Sequence, residues 1–264
     1  MRAKRIQVRR DRPGALALAL AFAVTMLVVY LMTLGSAAED ARNKPSTRSS
    51  EPRVTRELTL EPLAVYCVQF GRFSGAGEAR VEAARYAERG AAGYVYADGA
   101  QFLTLGAGYP ERSDAERVAE RLREREGLAA QVFARSCDAV RLKITAPEDQ
   151  IETFLRADAL LRAQVNQLGE LAFQIDRGEI GAEAARALVA VQAAEARELL
   201  AELAEIPGEN AIFAGLTARV EKLSAELNVL SFENIETDLF ISGKIKYNYL
   251  DARLGYIDFL RSLD

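Results

Sequence analysis

The chain has 264 residues, with 34 basic and 38 acidic side chains, a formal net charge of −4, and neither histidine nor tryptophan. The lack of histidine removes the commonest general base near neutral pH and the commonest metal ligand, and the slightly negative charge weighs against nucleic acid as a partner. The acidic residues fall mostly on Ala-, Arg- and Glu-rich stretches as charge pairs on a solvated face, with no separated carboxylate pair suited to glycosidase chemistry, so neither an enzyme nor a bound metal or cofactor is expected.

In chain order, residues 1–13 form a basic tail carrying Arg2, Lys4, Arg5, Arg9, Arg10 and Arg12. Residues 14–34 then hold no charge, and about 20 such residues are enough to cross a bilayer as a helix. The basic side stays in the cytoplasm, which places everything after Leu34 outside. Gly35-Ser36-Ala37 offers small residues near a signal-peptide cut, but the apolar stretch exceeds the usual core of about 7–15 residues, so a retained single-pass anchor is preferred. Residues 35–60, rich in Ser, Arg, Glu and Pro, read as a disordered linker that lets the following domain sample its surroundings.

Residues 61–146 carry a segment twice. Val65 to Gly71 reads as a strand leading into a helical run from Ala79 to Arg89, and Phe102 to Gly106 leads likewise into Ala115 to Arg125. Gly71/Gly106, Ala79/Ala115, Ala83/Ala119 and Arg85/Arg121 keep nearly constant spacing, as two copies of one unit would. Each copy ends in a further apolar run, Ala92 to Tyr96 and Ala130 to Ala134. The order predicts a split β-α-β (ferredoxin-like) sandwich, with a four-stranded antiparallel sheet and two helices on one face. Ser113-Asp114-Ala115-Glu116 fits a capping box, and Asp98-Gly99 fits a type I′ hairpin turn. Gly71 to Gly77 lies where a phosphate loop would, but lacks the spacing of either nucleotide fingerprint and reads as a plain turn.

Tyr66-Cys67-Val68-Gln69-Phe70-Gly71-Arg72-Phe73-Ser74, followed by Leu105-Gly106 and an Asp-Ala-Glu helix start, resembles the two half-repeats of the SPOR domain, the bacterial sporulation-related repeat that binds peptidoglycan. The resemblance covers about a third of the chain. It implies that the open sheet face holds glycan strands stripped of stem peptides, as at division septa. Gln69 matches the sugar-contacting first-strand Gln of that family, with Arg72 and Thr104 nearby. Phe102 stands where the family commonly has an Arg, and its ring is suited either to stacking on a sugar or to packing within the sheet.

Residues 147–264 read as an antiparallel helical bundle, opening on the capping-box pattern Thr145-Ala146-Pro147-Glu148. Ile151, Leu155, Leu161, Leu168, Leu171 and Ile175 stripe the first helix, Leu188, Leu199, Leu200 and Leu203 the second, and Phe213, Leu216, Val220, Leu223 and Leu227 the third. The fourth, from about Ile235 to Leu263, contains Gly243 as a point of bending or division. The bundle is expected to contact division or sporulation proteins of the envelope. Cys67 and Cys137 are the candidate disulfide pair, their pairing depending on strand register.

Together these features predict a SPOR-type sandwich and a bundle preceded by one transmembrane helix. The expected function is a membrane-anchored peptidoglycan-binding protein of division, sporulation or wall remodelling. The alternative is an envelope scaffold whose domains bind proteins instead of glycan.

Overall fold

The computed structural model describes residues 52–206, 210–232 and 237–263. The basic tail and the expected membrane helix 14–34 lie outside them. Among the described residues, no helix is long and apolar enough to cross a membrane.

The first element is a strand, β1 (Arg53–Leu60), within the segment read as a disordered linker. It pairs antiparallel with β6 (Val140–Pro147) from Arg53↔Pro147 to Leu60↔Val140, forming a two-stranded sheet. Alternation explains both strands: Leu58 and Leu60 of β1, and Val140, Leu142, Ile144 and Ala146 of β6, turn one face into the core. Thr145, read as a helix cap, belongs to β6, and its hydroxyl shares a 2.8 Å hydrogen bond with that of Thr55. The helix beyond starts after Pro147 without a side-chain cap.

A second sheet contains β2 (Leu63–Phe73), β3 (Tyr94–Asp98), β4 (Gln101–Tyr109) and β5 (Gln131–Cys137), in the antiparallel order β3-β4-β2-β5. Asp98 pairs with Gln101, leaving Gly99-Ala100 as the hairpin tip. Gly99 has φ +62° and no described non-glycine residue has positive φ, so the turn has the type II′ requirement rather than the expected I′ one. Register shifts at Val68/Gln69 and Gln69/Gly71 mark a bulged region in the β2–β4 pair.

Helices α1 (Ala76–Ala87) and α2 (Arg112–Glu126) follow β2 and β4. The expected Ser113 capping box is absent: α2 starts at Arg112, with Glu111 as N-cap and no side-chain cap bond, and Glu116 instead accepts from Arg112 Nε at 2.7 Å. Four longer helices follow: α3 (Glu148–Asp176), α4 (Ala182–Ala204), α5 (Ala211–Phe232) and α6 (Asp238–Arg261). Helix α6 runs unbroken through Gly243. Its N-terminus is capped by Thr237, whose hydroxyl accepts from the Phe240 amide at 3.3 Å.

The expected sandwich followed by a bundle is corrected. Among the described residues there are two sheets, and residues 52–264 form one compact unit in which one large apolar cluster joins both sheets to α3–α6. The larger sheet is covered on both faces. On one face Val68 and Tyr109 pack with Ala115 and Ala119 of α2, while Phe70 stacks on Tyr86 of α1 at 4.2 Å between centroids. On the other, Val65, Cys67, Leu103 and Leu105 join the large cluster with Leu250, Leu254 and Ile257 of α6. Gly108 permits this approach: a Cβ there would lie 2.6 Å from Leu250 Cδ2 and 2.7 Å from Tyr249 Cε1. The apolar alternation on the second face of β2 and β4 is the physical reason for the correction, because such a surface has to be buried.

Candidate functional site

The four residues read as glycan-binding do not converge. Gln69 sits opposite Leu105 and Arg72 opposite Leu103, whereas Thr104 sits opposite Gly71 and Phe102 opposite Phe73. Since neighbouring residues of a strand point to opposite faces, Gln69 and Arg72 belong to the α6 side, and Thr104 and Phe102 to the other. Gln69 and Thr104 are buried, at 7% and 1% exposure, and the Thr104 hydroxyl oxygen has no hydrogen-bond partner. Phe102 is half-buried, as a packed sheet residue is. Arg72 is exposed and donates from Nη1 to Gln101 Oε1 at 2.7 Å.

The two cysteines are both buried and form no disulfide with each other. Cys137 pairs with Leu63 and Cys67 with Phe133, so four strand positions, about 13 Å at 3.3 Å per residue, separate them along the β2–β5 ladder. That exceeds the Cα separation a disulfide tolerates. Burial pushes the Cys67 thiol up to about 12, which keeps it protonated and inert.

The face expected to be open is occupied by α6, held to the sheet by polar contacts at several strands. Tyr94 of β3 donates to Asp251 Oδ1 at 3.0 Å, and Tyr96 donates to the Asp258 carboxylate at 3.0 and 3.1 Å. Arg135 of β5 reaches Asp258 Oδ1 through Nε and Nη2 at 2.9 and 2.7 Å. Arg253, itself buried, donates from Nε and Nη2 to the Ala64 carbonyl of β2, and Arg261 donates to the Ser136 carbonyl. Burial and the adjacent carboxylates push both tyrosine hydroxyls well above their ordinary range, so they remain donors.

Comparisons with known proteins return no match. No family model, no curated protein and no solved structure matches the chain. The site therefore has to be read from its own geometry.

Beside the α6–sheet contact lies a groove of about 430 Å³ between α5, α6 and the segment that joins α1 to β3. Its walls are small: Ala87, Ala91, Ala92 and Gly93 on one side, with Ala225 of α5 and Gly243 of α6 on the other. Around it stand the exposed apolar side chains Val229, Leu239, Phe240 and Tyr247. Lys244 also lines the groove, its ammonium 5.4 Å from the Phe240 ring centroid.

Glu226 reaches the groove and also a small chamber lined by Arg219, Lys222 and Asp251. Lys222 Nζ is 2.6 Å from Asp251 Oδ2 but 3.8 Å from Glu226 Oε1, so Asp251 has the stronger claim on the ammonium. Glu226 Oε2 is buried without a hydrogen-bond partner. Burial first, and the Asp251 carboxylate second, push Glu226 from its ordinary 4.5 up to about 7. Among the described residues there is no group of three Cys, Asp or Glu side chains placed to hold a metal.

The raised Glu226 value gives a signed pH dependence. The folded state holds this proton between about pH 4.5 and 7 while the unfolded state has lost it, so the Glu226 contribution is fully favourable below 4.5 and is lost as pH rises to 7. Denaturant midpoints across pH 4–8 are expected to show that decline for the parent chain relative to Glu226→Gln. Parallel curves for the two proteins would overturn the assignment.

Sequence reading missed this region because its signals are sparse. Asp251 and Asp258 do interrupt the apolar run Leu250, Leu254, Ile257 at a spacing that returns to one helix face. Tyr94 and Tyr96 likewise share one strand face. Those two pairs were the available clue that α6 lies on β3.

Proposed function

We propose that this chain is a non-enzymatic scaffold of the bacterial envelope, anchored through residues 14–34, with residues 52–264 outside the membrane binding protein rather than glycan. The observation that supports this reading most is the position of α6: a glycan strand approaching the face that carries Gln69, Leu103 and Leu105 would have to displace a helix joined to it through a common apolar core. The exposed apolar side chains Val229, Leu239, Phe240 and Tyr247 supply a surface of the kind that meets another protein. A protein of the division or sporulation machinery is the partner in this reading. The SPOR resemblance leads instead to wall binding, and the two are separable in one experiment.

Residues 52–264 are mixed with intact sacculi and with sacculi stripped of stem peptides by an amidase. The expected result is no pelleting with either. Pelleting with the stripped wall alone, lost in Gln69→Ala, would overturn the scaffold reading in favour of glycan recognition. A photo-crosslinker at Val229 is expected to give discrete protein adducts in envelope preparations, and these should diminish on Phe240→Ser.

A further inference from the structure

We propose that the groove between α5, α6 and the α1–β3 segment is a binding site for a small molecule with an apolar body and a primary ammonium. This goes beyond the scaffold reading and stands on the groove alone. Its volume of about 430 Å³ falls within the roughly 300–1,000 Å³ typical of small-molecule sites. The alanine and glycine positions of the walls leave room for a chain or ring, and Glu226, Lys244, Tyr247 and Asn248 are the polar side chains that line it. An apolar body is what such walls accept.

Glu226, which lines both the groove and the adjoining chamber, selects the head group. Glu226 and Asp251 bring two carboxylates to Lys222, which sits closer to Asp251, with Arg219 lining the same chamber. Glu226 Oε2 is left as a buried acceptor without a donor, an arrangement that carries a desolvation cost until a donor arrives. Once Glu226 is ionised, an incoming ammonium supplies a donor to this oxygen and a charge opposite to that of the carboxylate. A carboxylate would meet like charge there, and an alcohol would supply the donor without the charge. Tyr94 is committed to Asp251 and cannot serve Glu226 in place of a ligand. Lys244 is the one cation lining the groove among the described residues, and a ligand anchored on it would be anionic.

Three probes of similar shape separate these cases: 2-phenylethylamine, 2-phenylethanol and 3-phenylpropionate, each titrated calorimetrically into the full-length chain at pH 7.5. The amine is expected to bind about tenfold more tightly than the alcohol, as one charge-assisted hydrogen bond allows, with the carboxylate weakest. Glu226→Gln should abolish the preference for the amine, bringing amine and alcohol to within about twofold of each other in that variant. Ala225→Leu, which fills the groove from an exposed helix position, should weaken amine and alcohol alike, with melting temperatures confirming that both variants fold. Equal affinities for the three probes, a preference for the carboxylate, no binding up to millimolar concentration, or indifference to Ala225→Leu would each overturn the assignment. Partner capture at Val229 with no amine binding would refute this site and leave the scaffold reading standing.

Discussion

Residues 61–146 expressed alone are expected to fail to fold cooperatively, although they contain every strand of the larger sheet and both of its short helices. Two losses cause this. The fragment lacks β1, so β6 has no strand partner. It also lacks α6, which exposes the face formed by Val65, Cys67, Leu103 and Leu105, each at 0% exposure in the intact protein. Returning large apolar side chains to water costs about 1.5–3 kcal/mol apiece, and the sum over that face is comparable to the whole stability of a domain, about 5–15 kcal/mol. Circular dichroism melts and amide proton dispersion would be compared with those of residues 52–264. A sharp unfolding transition and a dispersed spectrum from the short fragment would show that the sheet does not depend on the helix, and the single-core description would then be wrong.

Asp251→Ala is expected to destabilise residues 52–264 by about 3 kcal/mol, more than the usual single substitution. The Asp251 side chain is 9% exposed and serves two donors from different elements, Tyr94 of β3 at 3.0 Å and Lys222 of α5 at 2.6–2.7 Å. Removing it leaves the Tyr94 hydroxyl in a partly buried position without its acceptor, a cost of about 1–3 kcal/mol. It also removes the nearer partner of Lys222, whose side chain is half exposed and recovers part of its loss by hydration and by Glu226 at 3.8 Å. The check is urea denaturation with an unchanged slope and a lowered midpoint. In a double-mutant cycle, Tyr94→Phe should cost less in the Asp251→Ala background than in the parent. Additive effects would mean that the Tyr94–Asp251 bond contributes nothing to holding α6 on the sheet.

What the sequence disclosed follows from which signals are local. The runs Val65–Gly71 and Phe102–Gly106 fall within β2 and β4, and the long leucine stripes fall within α3–α6. Strands β1 and β6 were missed for different reasons. β1 alternates Leu58 and Leu60 with charged residues in a segment dominated by Arg, Glu and Pro, and only its partner some 90 positions away gives it a ladder. β6 has an unbroken period-two pattern, Val140, Leu142, Ile144, Ala146, that was legible but was passed over in favour of Thr145 as a helix cap.

The site was harder to read still. Leu155 at 37% and Leu239 at 55% exposure look like core positions by periodicity alone, yet both reach the surface. The dispersal of Gln69, Arg72, Phe102 and Thr104 over two faces depends on the bulged β2–β4 register, and no spacing in either strand fixes that by itself. The groove depends on three segments meeting, residues 87–93, α5 and α6. None of them carries a motif that announces the others.

The closing position of α6 also sets a timetable for the chain as it is made. The larger sheet is complete in sequence at Cys137, but the helix that covers its second face, Asp238–Arg261, follows about a hundred residues later. At about 5–20 residues per second of synthesis, that face waits on the order of ten seconds for its cover. Over that interval Leu103, Leu105 and their neighbours form a sticky surface on a nascent polypeptide. Holding the early segment unfolded until α6 emerges is therefore the safer route, and a chaperone that releases its client late would raise the yield of this protein more than one that acts early.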